Sequence, residues 1–359
     1  MKYLIYCTFL LAFHATAQTP ASTRNIFIIT TDGFRWQEVF NGADPAILSN
    51  PDFVQDTALL RQMYGDSSVE ARRQKLLPFF WNVIAKQGQL YGNRLWNNYV
   101  NVKNFYKISY PGYNEILTGY ADPLPVPNTP TRNRNTNVLE FLNQQEAYKG
   151  KVAAFASWNV MPYIFNEQRS GFPVNAGYEM LDESADTVNH LINQVQQQVT
   201  KKQHTRHDLL TYESARTYIE QQHPRVLFLG LGETDEHAHH GEYDLYLQKA
   251  ADVDRMIAAL WYYVQTDPFY KDNTTFIITT DHGRGRSDYS WKGHGFWVKG
   301  SGETWLAMLG AGIPSSGEMK TAQQTWQKQI AATVALLLGE HFETEHLAGA
   351  PIGFNAALE

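Results

Sequence analysis

The stretch "RVLFLGLGETDEHAHHGEYD" (residues 225–244) joins two unlike halves. After Arg225 its first residues are apolar without a break, as in a strand buried on both faces. The remainder sets His237, His239 and His240 among acidic residues. Asp235 and His239 stand four apart, a spacing that brings carboxylate and imidazole onto one face of a helical turn. A buried strand running out into metal-capable side chains fits a sheet whose site gathers at the carboxyl ends of its strands.

Two more runs end in the same way. "NIFIITTDGF" (25–34) predicts a strand that stops at Asp32-Gly33, and "TTFIITTDHG" (274–283) one that stops at Asp281-His282. One Asp-Gly after a strand is accounted for by turn geometry; three acidic or histidine strand ends in one chain are not. "KVAAFASW" (151–158) and "TWLAMLGAG" (304–312) read as further strands. Apolar residues at helical spacing over 77–90, 185–199, 208–222, 244–265 and 325–340 predict the intervening helices. The alternation predicts a three-layer α/β sandwich with a largely parallel central sheet. The segment from about 159 to 206 interrupts it with aromatic, Gly and Pro residues and reads as a cap inserted over the site; its plainer reading is a connection with one surface helix.

The strand-end residues sort into two ligand groups. Asp235, His239 and the glycine-flanked His294 of "WKGHGFW" (291–297) make one, with His237 and His240 as alternatives to His239; Asp32, Asp281 and His282 make the other. Nitrogen and oxygen donors without thiolate suit two divalent metal ions, zinc by ligand chemistry. Two such ions about 4 Å apart would clamp the attacking and leaving sides of a displacement at phosphorus. Ser109, opening "SYPGYNEILTG" (109–119), is the candidate nucleophile and a candidate ligand to the second ion. A serine hydroxyl needs a base or a metal to attack, and Pro111-Gly112 suit a helix entry whose amides and dipole face a phosphate. The alternative reading of Ser109 is a helix cap, with Thr118 as another hydroxyl.

Composition limits the rest. The 359-residue chain has 43% hydrophobic and 18% charged residues and a formal charge of −6, enough for a large core and without a basic field for nucleic acid. The expected partner is a small-molecule phosphate ester; nothing in the sequence indicates an oligomeric state. Lys103, Lys107, Arg132, Arg134, Arg284 and Arg286 are candidates to meet substrate charge, with solvated surface the plainer reading of each. "MKYLIYCTFLLAFHATAQ" has a basic start, an apolar run and an Ala-x-Ala ending, so residues 1–17 read as a signal peptide and 18–359 as the mature domain, periplasmic or secreted. The apolar run is shorter than the roughly 20 residues of a spanning helix, and no later run is long enough. The sole cysteine, Cys7, lies in this leader, so the mature chain would have no disulfide.

The ordered set "TTDGF", "SYPGYNEILTG", "GETDEHAHHG", "TTDHGRG" and "GHG" resembles the alkaline phosphatase superfamily, most of all its type I phosphodiesterase and nucleotide pyrophosphatase branch. The resemblance spans residues 27–295 and implies that Ser109 takes the nucleophile position usually held by Thr. It further implies that "DEHAH" supplies Asp235 and His239, that "TDHG" supplies Asp281 and His282, and that His294 is the last histidine. The family's phosphate-binding Asn, roughly twenty residues past the nucleophile, has several counterparts here in Asn128, Asn133, Asn135 and Asn137, with Asn114 a further substrate-binding candidate. The implied activity is hydrolysis of phosphate mono- or diesters through a phosphoseryl intermediate. A sulfatase is the nearest alternative, set back because no Arg follows Ser109 in the sulfatase pattern; a phosphomutase and a non-catalytic metal-binding protein are the others.

Overall fold

The computed structural model describes residues 23–124, 127–183 and 187–353; the leader reading at 1–17 lies outside them. Eleven strands are present among the described residues: β1 (Asn25–Thr31), β2 (Gln89–Tyr91), β3 (Asn98–Asn101), β4 (Val152–Ala156), β5 (Val174–Ala176), β6 (Val226–Leu231), β7 (Thr274–Thr279), β8 (Glu303–Thr304), β9 (Leu306–Gly310), β10 (Gly317–Glu318) and β11 (Gln323–Trp326). Eight form one sheet in the order β10-β2-β9-β7-β1-β6-β4-β5. Only β9 runs against its neighbours there; the other pairings are parallel. β11, β3 and β8 form a small second sheet.

β1, β6 and β7 lie side by side in the middle and are buried at every residue. Strand side chains alternate between faces, and in β1 Phe27 and Ile29 enter one apolar cluster while Ile26 and Ile28 enter the other. The first cluster takes in Leu247, Ile257 and Leu260 of the helix Tyr243–Thr266, and the second Ile116 of the helix Ser109–Thr118 and Val334 of the helix Ile330–Leu337. These are the helical layers of the predicted sandwich. Among the described residues no helix is long and apolar enough to cross a membrane.

Sequence patterning misplaces three boundaries. The helix predicted over 77–90 ends earlier, in a π-helical turn (Phe80–Ile84) and a short α-helical turn (Ala85–Gln87), because Gln89 and Leu90 pair with Met308 and Ala307 in the sheet. "TWLAMLGAG" divides at Trp305 into β8 and β9, which belong to different sheets. In 325–340, Thr325 and Trp326 belong to β11 and the α-helix begins at Ile330. The segment 159–206 contains the helix Thr187–Gln198 and also β5, which pairs parallel with β4 at the sheet edge.

Candidate active site

Each central strand delivers its side chains at the carboxyl edge. Asp32 follows β1 directly and its backbone N–H donates to Leu231 O of β6 at 2.9 Å. β6 leads through Gly232 into the helix Glu233–His240, which carries Asp235 and His239. β7 leads into Asp281 and His282, both fully buried. His294 follows a short 3-10 turn (Ser290–Lys292).

The two predicted groups meet at His282. Its Nδ1 is 3.0 Å from the Gly283 carbonyl, so Nδ1–H donates there and Nε2 is left bare. That bare nitrogen lies 3.3 Å from Asp281 Oδ2, 3.5 Å from Asp32 Oδ1 and 3.3 Å from Ser109 Oγ. His294 is set in the same manner: Nδ1 lies 3.3 Å from Lys107 O, leaving Nε2 3.8 Å from Asp235 Oδ1 and 3.0 Å from His239 Nε2. His239 Nε2 is in turn 3.1 Å from Asp235 Oδ2. The alternatives point elsewhere: His237 Nδ1 pairs with Glu242 at 2.7 Å, and His240 stands 3.8 Å from Glu236.

This donor set fits cations. Asp32 Oδ1 and Asp281 Oδ2 are buried without a hydrogen-bond partner, and a bare imidazole nitrogen facing a carboxylate oxygen is repulsive unless positive charge lies between them. Ligand atoms of Asp32, Asp281 and His282, and separately of Asp235, His282 and His294, lie within 4.8 Å of one another. Burial, and then the charges of Asp281 and Asp235, push the Asp32 carboxyl well above its ordinary range. Burial pushes Asp281 up to about 8. Burial likewise holds His282 well below the usual imidazole range and His294 down to about 4, the neutral form that metals take. Asp235 goes the other way: burial acts to raise it, but the Arg284 guanidinium and the surrounding histidines hold it well below the carboxylate range.

Arg284 departs from the surface position expected of it. It is 1% exposed, ion-paired with Asp235, and donates to Gly33 O at 3.1 Å and Lys292 O at 2.6 Å. Gly33 allows this closeness: a Cβ there would stand 2.6 Å from Asp235 Oδ1 and 2.8 Å from Arg284 Nε. Tyr113, which the sequence did not mark, donates to Asp32 Oδ2 at 3.0 Å and fixes that carboxylate.

Ser109 is the first residue of its helix and is buried beside His282. The helix end offers fewer amides than expected, since Pro111 has none and Tyr110 N donates to Asn128 Oδ1 at 2.9 Å. Asn128 lines a cleft of about 630 Å³ with Asp32, Ser109 and Asp235. Asn114 is not brought to this cleft. Its Oδ1 accepts from Asn133 and Asn135 at 3.0 and 3.1 Å and its Nδ2 donates to Tyr120 O, inside a buried network.

No family model and no curated protein matches the sequence. Solved structures do match in shape. Wild-type alkaline phosphatase PafA superposes with a TM-score of 0.60 at 12% identity, covering 92% of this chain and 98% of that one. The fold is that of the alkaline phosphatase superfamily. The lipoteichoic acid synthase LtaP from Listeria monocytogenes gives 0.57 at 13% identity over 89% of this chain and 73% of its own, and the 2-O GAG sulfatase BT1596 gives 0.55 at 12% over 90% and 72%. This fold carries several chemistries, so the function rests on the site.

Proposed function

We propose that this protein is an exported hydrolase of phosphate esters that works through a phosphoseryl intermediate on Ser109 beside two divalent metal ions, zinc by ligand chemistry. The observation that carries this reading is Ser109 Oγ at 3.3 Å from a bare His282 Nε2, against two carboxylate oxygens that have no partner. Asp32, Asp281 and His282, with Ser109 itself, would hold one ion; Asp235, His239 and His294 would hold the other. Bound cations supply the positive charge that makes a serine oxygen nucleophilic at neutral pH and offsets charge on the leaving oxygen. Ser109 Oγ attacks phosphorus and the leaving alcohol departs; water then cleaves the phosphoserine and restores the hydroxyl. Asn128, its Oδ1 held by Tyr110, keeps Nδ2–H free to donate to a non-bridging phosphate oxygen. Tyr113 keeps Asp32 in place.

The cleft favours a diester over a monoester. Among the described residues its lining includes Trp158, Asn159, Tyr163, His204 and Glu236 but no Lys or Arg. A monoester dianion would leave its second charge without a basic partner. A diester brings one charge and a second organic group for Trp158 and Tyr163 to cover. A sulfatase is disfavoured because Tyr113, not Arg, occupies the position after Ser109-Tyr110-Pro111-Gly112 and is engaged with Asp32.

The test is to assay zinc-loaded protein on bis-p-nitrophenyl phosphate, p-nitrophenyl phosphate and p-nitrophenyl sulfate. Turnover is expected on the phosphates, fastest on the diester; turnover of the sulfate alone would overturn the reading.

A further inference from the structure

Glu115 is buried with no exposed surface on the helix that Ser109 opens, and the chemistry above makes no use of it. Its carboxylate accepts the Lys103 amide at 2.7 and 2.9 Å, the Asn104 amide at 2.8 Å, Asn104 Nδ2 at 2.9 Å and the Lys328 amide at 3.2 Å. A buried carboxylate satisfied by amides rather than by a cationic side chain holds a loop in one shape. The loop it holds leads directly to the nucleophile.

The path continues past Asn104. With its amino group given to Glu115, Asn104 accepts the Lys107 amide on Oδ1 at 2.8 Å. Lys107 has a φ of 55°, a left-handed conformation that costs a lysine energy and persists only when its surroundings impose it. In that conformation the Lys107 carbonyl accepts from His294 Nδ1 at 3.3 Å, and this leaves His294 Nε2 bare toward Asp235 and His239. The next residue, Ile108, accepts Gly112 N–H at 3.0 Å and starts the Ser109 helix. A hydrogen-bonded chain thus runs from Glu115 through Asn104 and Lys107 to an imidazole of the cluster.

We propose that Glu115 is a positioning residue for His294: through Asn104 and the left-handed Lys107 it sets the carbonyl that fixes the imidazole's tautomer and orientation, tying the nucleophile helix to the ligand group of Asp235, His239 and His294. This rests on the two-metal reading of the site. Groups that orient a metal-binding histidine from behind typically change metal affinity by about 10- to 100-fold when removed.

The test is a stepwise cobalt(II) titration followed by visible absorption, with thermal melts alongside. Glu115→Gln turns an amino group toward amide donors, and Asn104→Ala cuts the path at its middle. Each is expected to weaken one cobalt step by at least about tenfold and to leave the step at Asp32, Asp281 and His282 at parental affinity. Lys107→Gly keeps the carbonyl and adopts positive φ freely, and is expected to retain both steps. Should Glu115→Gln not fold, Asn104→Ala carries the same expectation. Parental affinity at both steps with a lowered melting temperature would reduce Glu115 to a loop clamp and overturn the proposal, as would equal weakening of both steps. Failure of the underlying reading looks different: the parent protein itself would show no cobalt step, and His294 would then be no ligand.

Discussion

Asp208 and Glu233 each accept the backbone N–H of the other, at 3.1 Å into Asp208 Oδ2 and 2.8 Å into Glu233 Oε2. Each residue is the first of its helix, Asp208–Gln222 and Glu233–His240, so two helix starts cap one another. Asp208 Oδ1 also takes the amide of Gly232, where β6 turns into the helix bearing Asp235. Asp208→Ala would leave the Gly232 and Glu233 amides buried without acceptors, while the Ser157 hydroxyl, which donates to Asp208 at 2.6 Å, keeps its contact with Thr211 Oγ1 at 2.8 Å. The expected cost is about 2–4 kcal/mol of stability in urea melts, together with weaker metal binding because Asp235 lies two residues beyond Glu233. A variant as stable as the parent would mean that water replaces the cap.

Gly112 is where the helix Ser109–Thr118 touches the chain just beyond β7. A Cβ there would stand 2.4 Å from the Asp281 carbonyl oxygen and 2.9 Å from its carbon, both backbone atoms. Neither can swing away, so Gly112→Ala must push helix and strand end apart. We expect about 1–3 kcal/mol of destabilisation, and, if Ser109 moves by about 1 Å, a fall of about a hundredfold in kcat. Melting temperature and kcat measured on the same preparation check both, and an unchanged kcat would show that the helix does not set the position of the serine.

Most of the candidate residues legible in the sequence follow a strand end closely, whereas Ser109 and His294 are read from a helix entry and a glycine-flanked histidine. Asp32, Asp281-His282 and the Asp235/His239 pair are read there because a buried apolar run points to each. Arg284 was not legible, since a lone Arg after Asp-His-Gly looks like surface and its partners, Asp235 and the Gly33 carbonyl, are remote in sequence. The sequence does not choose among the asparagines, for another reason. Asn114 lies five residues past Ser109, about 140° around the helix from it, and faces the network of Asn133 and Asn135. Asn128 reaches the cleft through a loop whose course local propensity does not fix.

A second buried acid makes stability depend on pH away from the site. Asp254 takes the Phe79 and Phe80 amides at 2.8 and 3.0 Å, yet burial pushes its carboxyl from 3.8 up to about 7. The folded state therefore binds more protons than the unfolded chain between those values, so this group's contribution is fully present below about pH 4 and is lost as pH rises to about 7. The loss is a few kcal/mol at most, at about 1.4 kcal/mol per unit. Asp254→Asn removes the titration but keeps one acceptor for the two amides, at a pH-independent cost of about 1 kcal/mol. Urea melts at pH 4.5 and pH 8 are expected to show the parent losing more stability than the variant over that interval; equal losses would mean that the two amides alone keep Asp254 ionised.

Ser109→Ala separates the two roles that the hydroxyl can have. As nucleophile, Ser109 supplies the oxygen that bonds to phosphorus, and its loss should lower kcat by at least three orders of magnitude, about 4 kcal/mol on the barrier. As a helix cap it would contribute about 1 kcal/mol of stability and nothing to the chemistry. The N-cap position falls on Ile108 and not on Ser109, whose Oγ contact is to His282, so the melting temperature should move little. Asp32, Asp281 and His282 remain to bind the ion nearest the vacated position, and metal content by elemental analysis should stay at the parental value. The decisive pattern is therefore loss of turnover with unchanged metal content and a nearly unchanged melting temperature. Near-parental kcat would transfer the nucleophile to another hydroxyl. Thr118 is poorly placed for that role, because its Oγ1 already donates to Asn114 O at 2.7 Å at the far end of the same helix.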